Sequence, residues 1–119
     1  WSPEWTYTDE VFSLSAPSFD NPDFVDVVIH SYRHRHRNAI GETRFVEVER
    51  ELAERPRINV RAIVLRGAAG GFGKPSEDPS RDQDRFANLV NRRIVRGAGH
   101  DLPSQRPDTV VEALLELLS

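Results

Sequence analysis

Ile94-Val95-Arg96-Gly97-Ala98-Gly99-His100-Asp101-Leu102-Pro103 joins a short apolar run, a glycine-rich turn, a histidine and the approach to a helix. Glycines on both sides of Ala98 allow a sharp reversal of the backbone. The imidazole of His100 is therefore held by main-chain geometry just past a strand, with its ring able to face a cleft. A histidine in such a place is a candidate general base. Such a base needs a nucleophile to activate and usually an acid to orient it. The chain offers no clear candidate for either, so it reads as part of an enzyme rather than a whole one. The plain alternative is a histidine that only caps the turn before the last helix.

Outward from this turn, Pro107 suits the first position of a helix whose Val110, Val111, Leu114, Leu117 and Leu118 face inward. Upstream, Arg93 to Val95 reads as a short strand. Ser80 and Gln83 form a capping-box pair, which predicts a helix burying Phe86, Leu89 and Val90. Val60 to Leu65 is nearly continuous apolar and β-branched, as in a parallel strand buried on both faces. Gly67 to Pro79 is rich in Gly, Pro and Ser and is a loop. The second half is thus strand, helix, strand, helix, an α/β pattern. Two parallel strands alone make a poor sheet, so the pattern calls for further strands beside them.

The first half is helical. Asn21 offers a cap, Pro22 fits the first helical position, and Phe24, Val27, Val28, Ser31 and Tyr32 share a face up to about Arg35. Gly41 is the expected stop. A second helix over Thr43 to Glu54 presents Phe45, Val48 and Leu52 and ends at Arg55-Pro56. Trp1 to Ser18 carries two tryptophans, Tyr7 and Phe12 without a period and is read as irregular structure or short helix.

The 119 residues suit one ordinary domain, with 38% hydrophobic and 29% charged residues and a mean hydropathy of −0.55. The longest apolar stretch is Ala62-Ile63-Val64-Leu65, too short for a membrane span or a signal peptide. A net charge of −3 gives no field favouring nucleic acid. Cysteine is absent, which excludes disulfides and thiolate metal sites. A cytoplasmic location is the default. The chain has no methionine and begins at Trp1, which points to a piece of a longer polypeptide.

The segment Gly97-Ala98-Gly99-His100-Asp101-Leu102-Pro103 resembles the final strand, catalytic histidine and last helix of the α/β-hydrolase family, in the branch of haloalkane dehalogenases, epoxide hydrolases and related esterases. Pro56 to Gly67 resembles the approach to the preceding strand. Ser18 to Val25 and His30 to Arg35 resemble the join between a helical lid and the core, with Trp1-Ser2-Pro3-Glu4-Trp5 in the lid. The resemblance implies that residues 1–57 are the end of the lid with connecting helices, and residues 58–119 the last two strand–helix units. It implies a hydrolase acting on an ester, an epoxide or a carbon–halogen bond, with His100 as general base and no cofactor. The nucleophile belongs on a Gly-x-Ser-x-Gly elbow, or one with Asp for Ser, and no such pentapeptide occurs. The isolated chain is therefore expected to be inactive. Its partners are a small-molecule substrate and the missing N-terminal half of the same fold, with neither nucleic acid nor membrane.

One position departs from the family pattern. The acid is expected in a Gly-x-x-Asp-like turn after the strand ending at Leu65, where the chain reads Gly67-Ala68-Ala69-Gly70-Gly71. Three readings stay open: an acid from an earlier strand outside the chain, Glu77 or Asp78 reaching in from the same loop, or a catalytically degenerate protein that keeps the scaffold for binding. The first is preferred over the third. Elsewhere, His30 and His34 have a spacing compatible with a metal, but no third ligand lies nearby and the neighbouring arginines oppose a cation. No metal site is assigned. Trp1, Trp5, Phe12 and Phe19 are read either as pocket lining or as ordinary packing.

Overall fold

The computed structural model describes residues 1–71 and 73–119. Phe72, inside the expected loop, lies outside the described residues. The elements in chain order are α1 (Asp9–Ser15), α2 (Phe24–Arg35), α3 (Val46–Ala53), β1 (Ile58–Gly67), α4 (Ser80–Arg85), β2 (Phe86–Val95), α5 (Leu102–Gln105) and α6 (Pro107–Leu118). Short 3₁₀ turns at Ala16–Asp20 and Thr43–Phe45 follow α1 and precede α3. The chain divides into two compact units, Tyr7–Glu54 and Trp1–Thr6 with Arg55–Ser119.

In the helical unit, α2 starts two residues later than Pro22. The Asn21 side chain does take a capping role, because its Oδ1 accepts the Asp23 N–H at 3.0 Å, while its carbonyl accepts the Phe24 N–H at 2.9 Å. The helix does not stop at Gly41. Arg37 adopts the left-handed region at φ 61°, and the N–H of Asn38 donates to the Arg33 carbonyl at 2.7 Å. That 6→1 bond satisfies a terminal carbonyl and closes the helix at Arg35, where the apolar period predicts its end. His34 Nε2 then reaches Glu49 Oε1 at 3.1 Å and ties α2 to α3.

The other unit is built on two parallel strands, paired from Ile58 with Phe86 to Gly67 with Val95, with irregularities between Ile58 and Arg61 and between Ala62 and Ile63. The expected helix through Val90 is corrected here. Helix α4 ends at Arg85, and Phe86, Leu89 and Val90 belong to the strand. Apolar residues at 86, 89, 90 and 94 mimic helical spacing, yet Phe86, Leu89 and Ile94 pair with Ile58, Ala62 and Arg66 of β1, with Val90 at the irregularity between them, and pairing overrides local propensity. The capping group is corrected too. Ser80 makes no capping bond of its own; it donates its N–H to Asp78 Oδ1 at 2.9 Å and its hydroxyl to Asp78 Oδ2 at 2.8 Å.

Consecutive residues of a strand point to opposite faces, and Arg92 and Arg93 use this to hold one helix each. Arg93 pairs with Glu116 of α6, which also accepts from Asn91 Nδ2 at 3.0 Å. Arg92 Nε donates to Asp82 of α4 at 2.8 Å, and Arg66 at the end of β1 grips the same carboxylate. The α6 face carries the small core, Val95, Ala98 and Leu102, with Leu65 and Val110 packed against it. The expectation for α6 is corrected in part: Val111, Leu114 and Leu118, expected inward, are exposed together with Leu115, and Val60 of β1 is 70% exposed. Among the described residues no helix is long and apolar enough to cross a membrane.

The two strands end against each other's loops. A Cβ on Gly67 would sit far inside 3 Å of the carbonyl oxygens of Gly99 and Ala98, so only a hydrogen fits there. Gly67→Ala is therefore expected to destabilise the protein by roughly 1–3 kcal/mol through overpacking. The urea midpoint monitors this, and an unchanged midpoint would show that the two loops are not in close contact.

Candidate active site

The carboxyl ends of parallel strands are where open α/β sheets place their ligands, and here both ends are joined. After β1, the N–H of Ala68 donates to the Val95 carbonyl and that of Ala69 to the Ala98 carbonyl, each at 2.9 Å. After β2, Gly97 takes φ 68°, Ala98 is completely buried, and His100 emerges exposed. The turn is thus anchored by a buried residue two positions before the histidine. The imidazole stays accessible to solvent and has the Trp1 ring edge-on to it, with centroids 4.9 Å apart at 84°.

The start of the chain closes the site. Gly71 donates its N–H to the Trp1 carbonyl at 2.9 Å. Ser2 Oγ accepts the His100 N–H at 2.8 Å and, more weakly, the Asp101 N–H at 3.4 Å. Gln105 of α5 donates through Nε2 to the same Oγ at 2.8 Å and to the Asp101 carbonyl at 3.0 Å, while its Oε1 accepts the Gly99 N–H at 2.8 Å. Neither Ser2 nor Gln105 is singled out by the sequence, because 103 positions separate them and no local spacing links them.

The alternative acids are placed differently. Glu77 is exposed in the loop between β1 and α4. Asp78 is held below its ordinary value chiefly by the Ser80 N–H and then by the Ser80 hydroxyl, so both its oxygens serve the start of α4. A buried, doubly paired environment belongs to a carboxylate that sequence reading passes over. Asp82 is buried, and Arg66 above all, with Arg92, holds its carboxyl below the usual range against the opposing effect of burial. Two guanidinium partners make it a cross-tie between α4 and both strands rather than a partner for an imidazole. Its setting, Arg81-Asp82-Gln83-Asp84-Arg85, looks like an ordinary solvated charge run.

Of the four aromatics considered for a pocket, Trp1 lies at His100 and Phe19 packs edge-on against Phe24, with centroids 5.0 Å apart, inside the helical unit. His30 and His34 stack at 6.2 Å, and among the described residues no group of three His, Asp or Glu is placed to hold a metal.

No family model and no curated protein matches the chain. Among solved structures, a protein described as "a putative epoxide hydrolase" from Klebsiella pneumoniae subsp. pneumoniae MGH 78578 is similar to it, with a TM-score of 0.84 and 32% sequence identity. The similarity covers 98% of this chain and 38% of that protein, so the chain spans well under half the length of its structural neighbour. Parallel strands, loops meeting at their carboxyl ends and this neighbour together establish an α/β-hydrolase-like fold for the chain, related to that of epoxide hydrolases.

Proposed function

We propose that this chain supplies the base-bearing end of a hydrolase that opens an ester, an epoxide or a carbon–halogen bond. The observation that carries the reading is His100 itself, an accessible imidazole on a turn locked by buried Ala98, at the joined ends of two parallel strands. In this chemistry a nucleophile attacks the substrate carbon and the leaving oxygen or halide departs. His100 removes the proton either from that nucleophile or from the water that later hydrolyses a covalent intermediate. The nucleophile has no candidate elbow among these residues, so it comes from the N-terminal part of the same fold. No cofactor enters, and the working compartment is the cytoplasm. The test is turnover of activated esters, epoxides and haloalkanes by the intact protein and by His100→Gln. Turnover that the substitution leaves unchanged removes His100 from the mechanism.

The acid that orients His100 comes, in this reading, from an earlier strand. The rival reading is a scaffold that has lost its acid and binds without reacting, and Gly70 is the observation in its favour. A Cβ on Gly70 meets nothing within 4 Å, so a carboxylate fits there without strain from neighbours. Gly70→Asp therefore separates the two. With an acid already present, the substitution is expected to change turnover by less than about threefold. A protein lacking one stands to gain up to about 10⁴, the loss seen when the acid of a serine-protease triad is spoiled. Such a gain, measured on the same substrates, would overturn the earlier-strand assignment.

A further inference from the structure

We infer that Ser2 and Gln105 act together as a clasp that positions the imidazole of His100, an inference that rests on His100 being the base. Four peptide groups around the histidine are held by these two side chains. Gln105 takes the Gly99 N–H on one side and the Asp101 carbonyl on the other, and Ser2 Oγ takes the N–H groups of His100 and Asp101. The bond between them, from Gln105 Nε2 to Ser2 Oγ at 2.8 Å, makes the two one device. A turn with two glycines has a large backbone freedom to lose, and a base displaced by about 1 Å loses about 10²-fold in rate. The clasp removes that freedom at the residue whose direction matters. It also explains Gly99, because a Cβ at that position would lie 2.6 Å from Ser2 Oγ and 2.8 Å from Ser2 Cα. Gly99 is thus the opening through which Ser2 reaches the turn. Trp1, one residue before Ser2, is carried by the same segment to the edge of the His100 ring.

Ser2 and Gln105 are positioning residues, and the test has to read His100 rather than the fold. Histidine-labelled intact protein, followed by NMR, reports the ring directly. Ser2→Ala and Gln105→Ala are each expected to shift the His100 ring resonances toward those of an unstructured histidine, as the ring-current effect of Trp1 is lost. Each is expected to lower turnover about 10²-fold with KM within about twofold. The double variant should lose little more than either single one, as parts of one unit do. In a His100→Gln background, Ser2→Ala should cause no further loss. If Ser2→Ala leaves the ring resonances and turnover unchanged, or lowers residual turnover equally in the His100→Gln background, the clasp is overturned. If His100→Gln itself leaves turnover intact, the base reading fails. The ring resonances then still decide whether the clasp exists.

Discussion

Replacing His100 by glutamine is expected to lower turnover by roughly four to six orders of magnitude, the range seen when the histidine of a catalytic triad is removed. Glutamine has a similar length and keeps the backbone N–H that donates to Ser2, so the turn and its clasp remain. It cannot take up a proton near neutral pH. The loss is therefore expected in kcat, with the melting temperature within about 2 °C of the parent protein. Initial rates on an activated ester and an epoxide, with a thermal melt of the same samples, check both halves. A fall in rate that tracks a fall in melting temperature would place His100 in the fold and not in the chemistry.

The second large effect belongs to Asp82. Its side chain is 7% exposed, and that of Arg92, which it pairs, is 13% exposed. Asp82→Ala strands the Arg92 charge in a half-dry place and is expected to destabilise the sheet unit by roughly 3–5 kcal/mol. That is a large share of the roughly 5–15 kcal/mol that holds an ordinary domain together. Asp82→Asn keeps the shape and one acceptor and is expected to lose less. The pH dependence has a definite sign. The native carboxyl titrates below its ordinary value of 3.8, so Asp82 stabilises the fold at all pH values above about 4. That contribution fades as pH falls through the region below 4, and Asp82→Asn should flatten this acid limb. Both tryptophans, Trp1 and Trp5, lie in the sheet unit, so their fluorescence during urea unfolding at pH 7 and pH 3 reads the effect there. A loss under 1 kcal/mol for Asp82→Ala would show that the two arginines find other partners.

Much of this architecture is legible from residue order alone, and the parts that are not share a cause. The paired strands, the helix from the early twenties to Arg35 and the final helix from Pro107 all follow from local pattern, because apolar period and proline placement act within a few residues. Helix α2 ends at Arg35, where its apolar period runs out, yet its stop is set by Arg37 in the left-handed region and not by Gly41. Strand β2 begins seven residues before the expected Arg93, since the pairing partner that extends it lies nearly thirty positions upstream. His100 stands out because its glycines are adjacent to it. Ser2, Gln105 and Asp82 do not, because each acquires its meaning from groups distant in sequence. The oxygen of Ser2, for example, meets a turn 98 residues away. Residues of that kind carry no signature in any window of ten.

The way Trp1–Thr6 returns to the sheet has an evolutionary reading. Residues 7–54 leave and re-enter the same compact unit, so they form a detour between two fixed attachment points. The entropy of closing such a detour grows slowly, by about 0.6 kcal/mol for each doubling of its length. Lineages can therefore lengthen, shorten or recompose this excursion at little thermodynamic penalty, while Ser2 keeps its hold on the turn of His100.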